Sequence, residues 1–148
     1  MEDDLSKSIG LMAPGLGLSL AGSFTTAYTI IKEEHDRIER TSLILAQTAL
    51  SLSLVADILM FIINHDDAMI EMILLREVII NLWIIAIVIG IVSISIMPRP
   101  DKDDRWWKKA TWYLMPFVIV IHGVYTMFWC RLFYLQLKVV DQSDNPES

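Results

Sequence analysis

Four apolar stretches of twenty to twenty-eight residues, at 9–31, 41–64, 78–97 and 110–137, alternate with short charged connections along this chain. No other feature constrains the fold as tightly. A helix rises ~1.5 Å per residue, so each stretch is long enough to cross a hydrocarbon core ~30 Å thick. The third is rich in Ile and Val, yet twenty uncharged residues without a turn signal favour a span over strands. The chain therefore reads as an all-α membrane protein, a four-transmembrane-helix antiparallel bundle. Residues 1–8 form a polar leader, 9–137 the bundle and 138–148 a polar tail. With 54% hydrophobic residues and a mean hydropathy of +0.48, the composition agrees.

Residues 98–109, Pro-Arg-Pro-Asp-Lys-Asp-Asp-Arg-Trp-Trp-Lys-Lys, fix the expected orientation. Pro98 and Pro100 stop the preceding helix, because each lacks an N–H and restricts the residue before it. Arg99, Lys102, Arg105, Lys108 and Lys109 share a side with Lys32, Arg37 and Arg40 of the 32–40 connection. The opposite side holds Lys7, Arg76 and Lys138, with Arg131 near the boundary. The positive-inside rule then places 32–40 and 98–109 in the cytoplasm and both termini on the non-cytoplasmic side. The acidic start Met1-Glu2-Asp3-Asp4 lacks the basic n-region of a cleaved signal peptide, so residues 9–31 are expected to remain as a first span. Trp106, Trp107, Lys108 and Lys109 form an interfacial anchor facing membrane lipids.

Small residues recur at helical spacing on three of the four segments. Gly15, Ser19, Gly22 and Ser23 lie on the first, Ala46, Ala49 and Ser53 on the second, and Ala86 and Gly90 on the third. Such seams let helix backbones approach closely, and packing is their ordinary use. Helix four is aromatic, and Pro116 near its start marks a place for a kink. The connection 65–77 is either an interfacial turn or an extension of helix three.

Ionisable groups inside spans are costly and so mark candidate sites. Three occur: Asp57, His122 and Arg131. Counted from the cytoplasmic ends at ~1.5 Å per residue, they lie ~24, ~17 and ~30 Å along their helices. Those depths predict an intramembrane polar pair or relay, in which Asp57 meets Arg131, or meets His122 through water. A structural clamp is the plainer role, and a proton or cation step the sharper one. His65, Asp66, Asp67 and Glu71 form a His/carboxylate cluster whose spacing matches no metal motif, so no metal site is assigned. A lone His122 offers no second axial ligand for haem, and no cofactor is expected. Cys130, the single cysteine, excludes an intrachain disulfide. A net charge of −6 without a basic stripe argues against nucleic acid. No glycine-rich phosphate loop or HExxH sequence points to an enzyme.

Residues 9–64 resemble the hairpin of rotary ATPase proteolipids. Gly15, Gly17, Ser19 and Ala21 alternate with leucines, and Asp57 follows in the next helix beyond a polar connection. The resemblance implies a ring of close-packed first helices, with Asp57 as the ion-binding carboxylate. It covers only residues 9–64; within them the 32–40 connection has no Arg-Gln-Pro-like motif, and the second hairpin neither repeats the first nor carries a mid-helix acid. The overall expectation is instead a non-catalytic accessory or structural subunit of a larger integral membrane complex, such as an electron-transfer, oxygenase or transport assembly. The alternative is a small homo-oligomeric ion channel or proton/cation carrier using Asp57 and His122.

Overall fold

The computed structural model describes residues 2–65 and 73–144, and every regular element in them is an α-helix: α1 Glu2–Lys32, α2 Arg37–His65, α3 Ile73–Ile96 and α4 Trp106–Asp144. All four are longer at their N-terminal ends than hydropathy suggested, except that α3 stops one residue short of 97. The leader from Glu2 and the tail as far as Asp144 are helical in backbone, not separate polar appendages. Hydropathy marks where apolar residues stop, whereas a helix continues until its backbone meets a cap or a breaker. For α2 that cap is Asp36, whose Oδ1 accepts the Glu39 N–H at 2.7 Å. Asp36 and Glu39 stand at the spacing of a capping box. For α3 the breakers are Pro98 and Pro100. Helix α3 starts at Ile73, so the distal part of the 65–77 connection extends it. The proposed cluster of His65, Asp66, Asp67 and Glu71 falls mainly outside the described residues.

Among the described residues, three helices, α2, α3 and α4, are long and apolar enough to cross a membrane. Helix α1 is not among them.

The helices pack in a ring, α1 on α2, α2 on α3, α3 on α4 and α4 back on α1, with a thinner diagonal contact between α2 and α4. Paired contacts show neighbouring helices running antiparallel. Gly15 meets Tyr125, Ser19 meets His122 and Thr29 meets Thr111 along the α1–α4 seam. On the α2–α3 seam, Trp83 meets Asp57 and Ser93 donates to the Ser42 carbonyl at 2.8 Å.

The small residues do face inward. Ser19, Gly22, Ala46, Ala49, Ser53, Ala86 and Gly90 are buried, and Ser23 is half-buried and accepts from Gln47 Nε2 at 2.8 Å. Gly22 admits Leu50, which would lie 2.9 Å from an added Cβ. Gly15 matters more. A Cβ there would sit 2.4 Å from the Tyr125 ring, whose hydroxyl accepts the Gly15 N–H at 3.1 Å and donates to the Leu11 carbonyl. Those two backbone groups stand at the spacing of a helical hydrogen bond. Tyr125 thus inserts a polar tip into the α1 ladder beside Pro14, a known cause of local helix distortion. Two core clusters result. One centres on Met12, Met60, Ile79, Trp83 and Tyr125, the other on Ala46, Leu50, Met115 and Val118. The outer surface is apolar as well: Phe24, Ile31, Val88, Phe117, Val120 and Met127 are among its exposed side chains.

Candidate functional site: a buried Asp–His–Trp cluster

Asp57 of α2, Trp83 of α3 and His122 of α4 meet on the bundle axis. Asp57 is 0% exposed, His122 1% and Trp83 0%. Asp57 Oδ1 accepts the Trp83 indole N–H at 2.8 Å, and its Oδ2 lies 2.8 Å from His122 Nε2. His122 Nδ1 lies 2.7 Å from the Val118 carbonyl, one turn back along α4. That carbonyl can only accept, so Nδ1 carries a hydrogen. A single further proton occupies the Nε2–Oδ2 line, on nitrogen in an imidazolium–carboxylate pair or on oxygen in a neutral one. The pair has zero net charge in both forms. This is how a carboxylate and an imidazole share an apolar interior, where a lone ion would cost several kcal/mol.

Ser19 Oγ of α1 also approaches Nε2, at 3.5 Å. A nucleophile relay needs the hydroxyl and the carboxylate on opposite ring nitrogens. Here both lie on the same one, so His122 is not arranged to activate Ser19. Beside the pair, a cavity of about 10 Å³ lies between α2, α3 and α4, lined by Ser53, Ala86, Gly90, Met115 and His122 among others. It has room for one water at most.

The placement expected from depth alone needs correction. Asp57 and His122 touch directly, with no bridging water, and Arg131 is exposed and joins neither of them. Nine residues separate His122 from Arg131, and at ~100° per residue that is half a turn, so the two point to opposite faces of α4. Trp83 was missed. Its signal was available: an indole N–H in the middle of an apolar helix requires an acceptor, and the adjacent helix offers one carboxylate. The proteolipid-like arrangement is absent too, since Asp57 faces the interior of its own chain.

A second polar cluster closes one end of the bundle. His35, in the α1–α2 connection, is held by the Thr29 carbonyl, 2.9 Å from Nε2. Its Nδ1 lies 3.1 Å from Glu39 Oε1, off the line that a hydrogen bond requires. Lys108 reaches the same Glu39 oxygen at 3.1 Å and Asp104 at 3.7 Å. Trp107 Nε1 donates to Glu33 at 3.1 Å and its ring packs edge-on to Tyr28. Partial burial works against the Lys108 charge, but Glu39, Asp104 and Glu33 together outweigh it and raise the ammonium above its ordinary value. Of the anchor residues, Trp107 and Lys108 therefore knit the connections together, while Trp106 is exposed and Lys109 donates to the Lys102 carbonyl. Among the described residues, no group of three or more His, Cys, Asp or Glu side chains converges as a metal site would require.

No protein family, curated protein or solved structure matches this chain.

Proposed function

We propose that the protein is a four-span integral membrane subunit of a larger complex, structural and non-catalytic. Helix α1 is the fourth span on this reading, held among the other three by its small-residue seam. The observation that carries this reading is how completely the central ionisable groups are used. Both oxygens of Asp57 and both nitrogens of His122 are engaged inside the chain, at the junction of three helices. The outside is apolar and suits lipid or neighbouring spans. The Asp57–His122–Trp83 cluster acts as a clamp that sets the register of α2, α3 and α4, a role attested for buried polar groups. Lys and Arg distribution supports a cytoplasmic location for residues 32–40 and 98–109 and a non-cytoplasmic one for both termini.

Purification from native membranes in mild detergent, with mass spectrometry of what migrates with the chain, tests this reading. Unlike subunits in fixed ratio are expected. A pure homo-oligomer would overturn it.

A second reading has its own observation. The Asp57–His122 line holds one proton, and His122 borders a cavity of one-water size. That supports a proton carrier in which the pair gains and loses this proton. In liposomes, Asp57→Asn would abolish a pH-driven flux on this reading and would leave it unchanged if the cluster is only a clamp.

A further inference from the structure

The connection between α3 and α4 divides its five cations into two sets. Arg105 stacks on the Trp107 ring, 5.5 Å from its centroid, and Lys108 is tied to Glu39 and Asp104. The other three, Arg99, Lys102 and Lys109, line a concavity of about 470 Å³ with Pro100, Asp101 and Tyr113. No carboxylate among the described residues forms an ion pair with any of these three. Asp104 is turned away, its Oδ2 accepting the Asp101 N–H at 2.6 Å while its Oδ1 faces Lys108. Arg99 rests 5.8 Å from the centroid of the Trp112 ring. A ring face engages the face of the guanidinium and leaves its in-plane N–H donors available. Lys109 gives one hydrogen to the Lys102 carbonyl, which holds the rim of the concavity together and leaves two hydrogens for a ligand.

Tyr113, one of the residues lining this concavity, begins an exposed stripe on α4 that proceeds through Phe117, Val120 and Val124. The spacings of four, three and four residues keep these side chains on one face of the helix. A cationic cup with hydrogen-bond donors thus opens directly onto an apolar track.

We infer that Arg99, Lys102, Lys109 and Tyr113 form a binding site for an anionic glycerophospholipid, its phosphate in the cup and its acyl chains along Tyr113, Phe117, Val120 and Val124. Volume and charge fit a phosphodiester with its polar substituent, because small-molecule sites run from roughly 300 to 1,000 Å³. A free phosphate would use the cations alone, whereas a lipid uses both the cations and the lipid-facing track on which the cup opens, which favours the lipid. The site goes beyond the subunit role proposed above, though it rests on that reading's placement of α4 in a bilayer.

Native mass spectrometry of the full chain, released from detergent with added phosphatidylglycerol or phosphatidylcholine of identical acyl chains, tests the site. Phosphatidylglycerol is expected to bind at least about tenfold more tightly. Arg99→Gln with Lys109→Gln should weaken it roughly 10- to 30-fold, given the attraction of each cation for an anionic headgroup. Arg105→Gln, which removes a cation from the same connection but outside the cup, should leave it unchanged. Equal binding of the two lipids, or equal losses from Arg105→Gln and the double variant, would overturn the inference while leaving the membrane reading intact. Displacement of phosphatidylglycerol by millimolar inorganic phosphate would overturn it in favour of a soluble anion site. A chain that retains neither lipid would likewise overturn the inference.

Discussion

Two histidine–carboxylate contacts in this protein look alike by distance and differ in almost everything else. His122 faces Asp57 at 2.8 Å on the bundle axis, and His35 faces Glu39 at 3.1 Å at one end. Both imidazoles are nearly sealed, at 1% and 2% exposure of their side chains. Around the His122–Asp57 pair the partners are fixed: the Val118 carbonyl and Asp57 Oδ2 on the imidazole, and the Trp83 indole on Asp57 Oδ1. Around His35 the carboxylate is partly exposed, is shared with Lys108 and is approached off-line. Water can reach Glu39, Lys108 and Asp104 of the end cluster. It can replace none of the central one. The energetic weight of a polar contact therefore depends less on its length than on what remains when one partner is removed.

Asp57→Ala offers the strongest test of that contrast. It strands the His122 ring and the Trp83 N–H together, and should cost about 3–5 kcal/mol. Glu39→Ala, with water and Lys108 at hand, should cost no more than about 1 kcal/mol. Unfolding in detergent micelles measures both, and similar losses would erase the distinction. Replacing both members, Asp57→Leu with His122→Leu, should be milder than Asp57→Ala alone, because no buried polar group is orphaned except the Trp83 N–H. A double variant worse than the single one would mean that the pair contributes more than mutual satisfaction.

Tyr125→Phe comes next. It withdraws the hydroxyl that lies between the Leu11 carbonyl and the Gly15 N–H, in a closed part of the bundle, at a cost of about 1–3 kcal/mol. Gly15→Ala should lose a similar amount, about 1–3 kcal/mol, by pressing a methyl group into the same ring. Thermal melts of the two variants should match. A tolerated Gly15→Ala would show that the α1–α4 seam yields where the central cluster does not.

The smallest effect belongs to Lys108. Its pKa is raised in the folded protein, so its contribution is complete below the ordinary value of 10.5 and disappears as pH rises through the higher folded value. Melting temperatures between pH 9 and 12 should carry a step worth under about 1 kcal/mol. Glu39→Gln should shrink that step, and a step unaffected by Glu39→Gln would assign it to another group.

Much of this architecture could be read residue by residue. Pro98 and Pro100 announced the end of α3, and the spacing of Ala46, Ala49 and Ser53 announced a buried face of α2. Asp57 and His122 stood out as ionisable groups in apolar surroundings. Their direct contact, and the exclusion of Arg131, did not follow from depth along the helices. Depth ignores rotation, and the half-turn between His122 and Arg131 decides which of them faces inward. Trp83 escaped because a tryptophan in an apolar helix reads as an interfacial or packing residue until an acceptor is placed beside it. The insertion of Tyr125 beside Pro14 had no signal at all, since it joins residues 110 positions apart.

By itself, then, the sequence determined the class, the number of helices, their order and most of the buried faces. Each of these depends on hydrophobicity summed over many residues, so no single position can upset it. Tertiary structure alone decided which polar atoms meet. A hydrogen bond tolerates only a few tenths of an ångström, whereas one residue of helical phase swings a side chain by ~100° and moves it ~1.5 Å along the axis. Asp57, Trp83 and His122 come together only once three helices have settled their rotation and offset against one another.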